Sequence, residues 1–190
     1  MAKIHPGATL TPGFRDFLPP WIARQPWYRG PETPELRPVG FYRLEDPEGE
    51  VGMESHLVSD GTDLYHVPLT YRGAPLPDVR PDALLATPEH SVLGTRWIYD
   101  AEVDPTWQSC VLDLVRTAGV SDPAGRSGVG PAEARGLPRA PLPDGATIEV
   151  VRILTPDALP DASSLLLGTW HPNGPDTTPA TGCLAVVVSA

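Results

Sequence analysis

Proline constrains this chain more than any other residue. There are 25 in 190 residues, and with 18 glycines they fill 43 positions, just below the ~25–30% that marks low-complexity chains. Proline has no backbone N–H to donate and clashes inside a helix, so regular elements are pushed into the stretches between prolines. Short folded elements joined by extended connectors are the expected outcome.

Composition sets further limits. The apolar fraction of 41%, with five Trp, five Tyr and three Phe, supplies a folded core. The length suits one domain or two small lobes and excludes a two-lobed kinase or a closed (β/α)₈ barrel of ~250 residues. A net charge of −10 repels phosphate backbones and anionic lipid, so neither nucleic acid nor membrane is expected as a partner. The stretch Met1–Leu10 lacks the charged-then-apolar order of a signal peptide, which predicts a cytoplasmic protein. Cys110 and Cys183 are too few for a disulfide framework and are expected to be reduced and buried.

Along the chain, Phe14, Phe17, Leu18, Trp21 and Ile22 form an apolar stripe broken by Pro19 and Pro20, predicting two hinged helical pieces that cover a sheet. Three strands are predicted at Val39–Glu45, Glu50–Val58 and Thr62–Tyr71. The first two join at the turn Asp46-Pro47-Glu48-Gly49, the last two through Ser59-Asp60-Gly61. An odd-numbered loop would place Val51, Met53 and Leu57 on one face with Tyr65, Val67, Leu69 and Tyr71, leaving Glu54, His56, His66 and Thr70 wet. Arg96–Asp100 reads as a strand. Asp104 then caps a helix with Pro105 at its first position, Trp107, Cys110, Val111, Leu114, Val115 and Ala118 on its apolar face, and Gly119 at its end. Val120–Gly145 holds ten Gly or Pro in 26 residues and reads as a linker. Strands follow at Thr147–Leu154, Ser164–Trp170 and Gly182–Ser189, with at least one covered on both faces. The predicted organisation is therefore an α+β unit over 1–119, a flexible linker over 120–145 and a small antiparallel β subdomain over 146–190.

No motif for chemistry emerges. The glycines at 125, 128 and 130 lack the Gly-Lys-Ser/Thr ending of a phosphate-binding loop. Kinase-type phosphoryl transfer needs a strand lysine and a metal-binding asparagine, but the only lysine is Lys3 and the only asparagine is Asn173. His56 and His66 lack a third ligand, and no nucleophile elbow is present. The carboxylates of Glu45, Asp46, Glu48, Glu50 and Glu54 surround a turn, where solvation accounts for them. Of the tryptophans, Trp27 and Trp170 are the candidates for stacking on a sugar ring. Neither a cofactor nor a metal site is predicted.

The stretch Tyr65 to Arg72, preceded by Ser59-Asp60-Gly61 and followed by Glu89-His90-Ser91-Val92-Leu93-Gly94, Arg96-Trp97, Tyr99-Asp100 and Asp104-Pro105, resembles the N-terminal cap of actinobacterial maltokinases and related sugar kinases. Leu18 to Gly30, with Gln25 and Trp27-Tyr28, is similar to the first helix of that cap. The resemblance covers about residues 14–116 and extends more loosely over 147–188. It implies a cystatin-like curved antiparallel sheet packed on helices. The kinase lobes that follow the cap in that family have no counterpart in these residues, so ATP binding and maltose phosphorylation are not carried over. The expected function is a non-catalytic, cap-like protein-interaction or regulatory module linked to α-glucan, trehalose or maltose-phosphate metabolism. It would act by binding a protein partner, with a sugar kinase or α-glucan enzyme as the candidates, or by self-association, using a free sheet edge. Glu89, His90, Arg96 and Asp100, polar groups among apolar neighbours, are the candidate partner contacts; the alternative is that they fix the loop before the helix through internal hydrogen bonds and an Arg–carboxylate pair. The alternatives are a carbohydrate-binding module and an enzyme acting on α-glucan through the turn carboxylates.

Overall fold

The computed structural model describes residues 5, 7–126 and 129–189. In chain order the elements are β1 (Leu10–Thr11), α1 (Phe14–Ile22), β2 (Arg37–Leu44), β3 (Gly52–Ser59), β4 (Leu64–Arg72), β5 (Leu84–Ala86), β6 (Glu89–His90), β7 (Gly94–Thr95), β8 (Trp97–Asp100), α2 (Pro105–Thr117), β9 (Asp122–Arg126), β10 (Val129–Pro138), β11 (Thr147–Val150), β12 (Ser164–Trp170) and β13 (Ala180–Val188). Antiparallel sheet dominates, and the two helices make the protein α+β, as expected. Ten strands form one sheet in the order β11-β13-β12-β10-β9-β2-β3-β4-β8-β5, and β1-β6-β7 form a small second sheet.

The large sheet curls until it meets itself. Past β11, Val151 N–H donates to Leu184 O at 2.9 Å. The next residues pair with the start of β4: His66 N–H donates to Arg152 O at 2.9 Å and Leu154 N–H to Leu64 O at 2.8 Å. The strip 151–154 thus bridges β13 to β4 and closes a ring around α2. Trp107, Val111 and Val115 of the helix fill the interior, against Tyr42, Met53, Leu57, Leu166, Trp170 and Leu184 from the surrounding strands.

On the outside, α1 lays Phe17, Leu18, Trp21 and Ile22 on Val58, Tyr65, Val67, Leu69 and Ile98, giving a second core. The stripe is as expected, but the helix is continuous instead of hinged. Pro19 and Pro20 withdraw only the N–H groups that would reach the carbonyls of Arg15 and Asp16, both on the exposed side, so the helix tolerates them. Asp16 reaches back to accept Gly13 N–H at 2.8 Å and fixes the helix start.

The meander β2-β3-β4 forms as predicted, but its faces do not. The β3–β4 loop spans residues 60–63, an even number, so Met53 pairs with Thr70 and Leu57 with His66. The cause is Asp60, whose carboxylate accepts Thr62 N–H at 2.9 Å, Asp63 N–H at 2.8 Å and Tyr65 O–H at 2.7 Å, adding one residue to the turn. With period-two alternation, one residue exchanges the faces of β4. His66 and Thr70, expected in solvent, are fully buried on the α2 side, while Val67 and Leu69 pack under α1.

The stretch 120–145, expected as a linker, carries β9 and β10 instead. β10 pairs with β9 and β12, making it an interior strand between β2 and the C-terminal strands. Its inward positions are Gly130, Ala132, Ala134 and Gly136, all buried. A Cβ on Gly136 would stand 2.1 Å from Leu114 O, so the helix backbone touches the strand there and only glycine fits. The strands β11 to β13 continue the same sheet. At the start of α2, Asp104 caps as predicted, accepting Thr106 N–H at 3.0 Å, and at its end Ala118 turns left-handed with φ 51°.

Candidate functional site

Two groups of polar side chains stand out, one buried and one at the surface. The buried group forms where the ring closes. Arg152 donates through Nη2 to Asp100 at 2.8 and 2.9 Å and to Glu102 at 2.7 Å, and Arg80 reaches Asp100 from the other side at 3.1 Å. Asp100 is 1% exposed; burial pushes its carboxyl above the usual range while Arg152 holds it down. The guanidinium of Arg152 lies 5.8 Å from the Trp27 ring centroid. Nearby, Tyr42 O–H lies 3.0 Å from His66 Nε2, and His66 Nδ1 lies 3.1 Å from Leu184 O. Burial lowers the His66 pKa to about 3, helped by the Arg152 charge, so the ring is neutral: Nδ1–H donates to Leu184 and Nε2 accepts from Tyr42. Most of these polar atoms are paired with one another, while Arg152 Nη1 is buried without a hydrogen-bond partner. The arrangement staples β8, the closing strip and β13.

The surface group lies on β6 and β7 and the turn between them. Glu89 accepts from Thr95 Oγ1, His90 Nδ1 accepts Val92 N–H and Leu93 N–H at 3.1 Å each, and Arg96 donates to Leu93 O. Val92 and Leu93 at the tip are 58% and 44% exposed. Beside them a cleft of about 700 Å³ runs between β1, the start of α1 and the outer face of β3 and β4, lined by Leu10, Phe14, Tyr71, Arg43, His90 and Arg96. The structure therefore gathers Glu89, His90 and Arg96 at one surface. Asp100, the fourth candidate contact, is not with them: β8 carries it into the buried ion cluster, where it is inaccessible to a partner.

The candidates for sugar stacking are also separated. Trp170 is fully buried inside the ring, packed in the core around α2, and offers no face to a ligand. Trp27 is half-buried, edge-on to Trp21 and tilted against Tyr65, with Arg152 over its ring. The turn carboxylates have internal work. Asp46 is 3% exposed and accepts N–H from Glu48, Glu50 and Val51 at 3.0, 2.9 and 2.8 Å. Its burial opposes ionisation, but these three N–H groups hold the carboxyl below its usual range. Glu54 pairs with Arg43 at 3.3 Å. His56 and His66 project from opposite faces of the meander and do not share a ligand. Both cysteines are free thiols; burial pushes Cys183 up to about 11 and raises Cys110, which is half-buried and not enclosed as expected.

The β11 edge is closed to strand addition. Glu102 Oε1 accepts Val150 N–H at 2.8 Å, and the Gln108 side chain takes both backbone groups of Ile148. Sequence reading missed Arg152, Arg80 and the Val92–Leu93 tip. The arginines find their partners at 52 and 20 residues' distance, which leaves no local pattern.

The curled sheet with one helix inside and one outside defines an α+β fold. Residues 21–104 match the family model of the maltokinase N-terminal cap domain, within the span where the sequence resembles it. A comparison with curated proteins returns no match. No helix among the described residues is long and apolar enough to cross a membrane.

Proposed function

We propose that this protein is a non-catalytic, maltokinase-related cap module, with a cystatin-like curved sheet wrapped on a helix, that binds a protein partner. The partner class is an enzyme of α-glucan, trehalose or maltose-phosphate metabolism. The match of residues 21–104 to a cap domain carries this reading. It is supported by the fate of the polar side chains: Asp46, Asp100, Asp104 and His66 are each taken up by internal bonds, leaving the surface as the place of action. The β11 edge is closed, and the hairpin carrying Glu89, His90 and Arg96 is the contact proposed, because its exposed Val92 and Leu93 supply the apolar centre that interfaces favour. The cytoplasm is the compartment proposed with it.

The test is biolayer interferometry of the purified chain against purified enzymes of those pathways, with parallel calorimetry using maltose, trehalose and glycogen. Saturable protein binding weakened by Leu93→Asp is the expected result. Saccharide heats without protein binding would replace this reading with a carbohydrate-binding module. Residue-dependent turnover of glucan would replace it with an enzyme.

A further inference from the structure

The tip between β6 and β7 is organised by a single ring nitrogen. His90 Nδ1 accepts two successive backbone donors, Val92 N–H and Leu93 N–H, each at 3.1 Å. An imidazole nitrogen accepts only while it carries no proton. Other bonds hold the flanks: Ser91 N–H donates to Thr9 O and Thr9 N–H to Ser91 Oγ, both at 3.0 Å, and the Arg96 guanidinium donates to Leu93 O. The turn so built presents Val92 and Leu93, the one adjacent pair among the large apolar side chains exposed in the described residues.

We propose that His90 is a proton-operated latch on this tip: neutral, its Nδ1 templates the turn and fixes Val92 and Leu93 as a pair; protonated at Nδ1, it turns an N–H against two N–H donors, swings away and frees the tip. The proton comes from solvent and no other group need change state. The charged and titratable groups around the ring are consistent with this. His5 lies with its ring 5.8 Å away, Arg96 and Glu89 flank it on its own hairpin, and Arg43, Glu50 and Glu54 line the cleft that it shares. Glu89 accepts from Thr95 and Glu54 pairs with Arg43 in this arrangement. Burial, then His5 and Arg96, lower the His90 pKa, which keeps the latch closed at neutral pH.

Nitrogen–proton correlation spectra of the full chain, recorded from about pH 8 to about pH 4 across the ordinary histidine range, test this directly. The Val92 and Leu93 amide shifts should follow the His90 ring titration with one midpoint. Their exchange, corrected for the intrinsic effect of pH, should rise roughly five- to tenfold as the two bonds are lost. In His90→Asn, whose side-chain oxygen can accept both N–H groups without titrating, the tip should keep its shifts and lose the step. His5→Asn should keep the step. Val92 and Leu93 amides that ignore the His90 titration, or a step that survives His90→Asn and vanishes in His5→Asn, would overturn the proposal.

Discussion

Arg72 and Asp104 meet side-on, Nε to Oδ2 at 2.7 Å and Nη2 to Oδ1 at 2.6 Å, with the Asp104 side chain wholly removed from solvent. The same carboxylate caps α2, so one charge joins the end of β4 to the start of the interior helix. A fork of this kind is specific to arginine, because a lysine ammonium cannot supply two parallel donors. Arg72→Ala strands a buried carboxylate and should cost about 3–5 kcal/mol. Arg72→Lys should recover only part of the loss, as read from urea unfolding of both variants.

His66 fixes the sign of an acid response. Its pKa falls from 6.5 to about 3 on folding, so below 6.5 the unfolded chain binds a proton that the folded one refuses. Stability should be unaffected by this group above pH 6.5 and fall as pH drops toward 3, with a slope of up to about 1.4 kcal/mol per pH unit. His66→Gln, though less stable at pH 7, should lose less stability between about pH 7 and pH 5 than the parent chain. Equal losses in the two proteins would rule out the neutral buried ring.

Gly136 is the point where strand and helix backbones touch. Gly136→Ala places a methyl on Leu114 O and the Val115 backbone, neither of which can move without shifting α2. The expected loss is at least about 1–3 kcal/mol, measured by chemical denaturation.

The Gln108 amide stands in for a missing strand. Its Nε2 donates to Ile148 O at 3.1 Å and its Oε1 accepts Ile148 N–H at 2.7 Å. Gln108→Ala should cost about 1–3 kcal/mol by leaving both groups unmet. It should also make the chain associate with rising concentration, seen by light scattering, because the bared edge can pair with another copy.

What could be read from the residues was what is decided locally. The cap at Asp104, the turn at Asp46 and the boundaries of β12 depend on neighbours within a few positions, and each was legible. The orientation of β4 was not, because it turned on whether Asp60 would gather one more residue into its loop. The strand β10 was hidden for a different reason. Its inward side alternates Gly130, Ala132, Ala134 and Gly136, a two-residue period written in the smallest side chains, and at Gly136 the backbone of α2 lies directly against it. Composition alone made that segment look like a connector.

The candidate contacts divide in the same way. Glu89, His90 and Arg96 are neighbours in sequence and remain so in space. Asp100, like them a polar group among apolar neighbours in the sequence, instead pairs internally with Arg152, 52 residues away.

The bridge between Leu64 and Leu154 also sets the order of events at birth. A ribosome that has delivered the chain as far as Asp104 has released the outer helix and the three-stranded meander, but not the strands needed to enclose Trp107. The nascent chain must carry this half-covered surface until β13 emerges, and a fold whose decisive pairings span so many residues closes slowly.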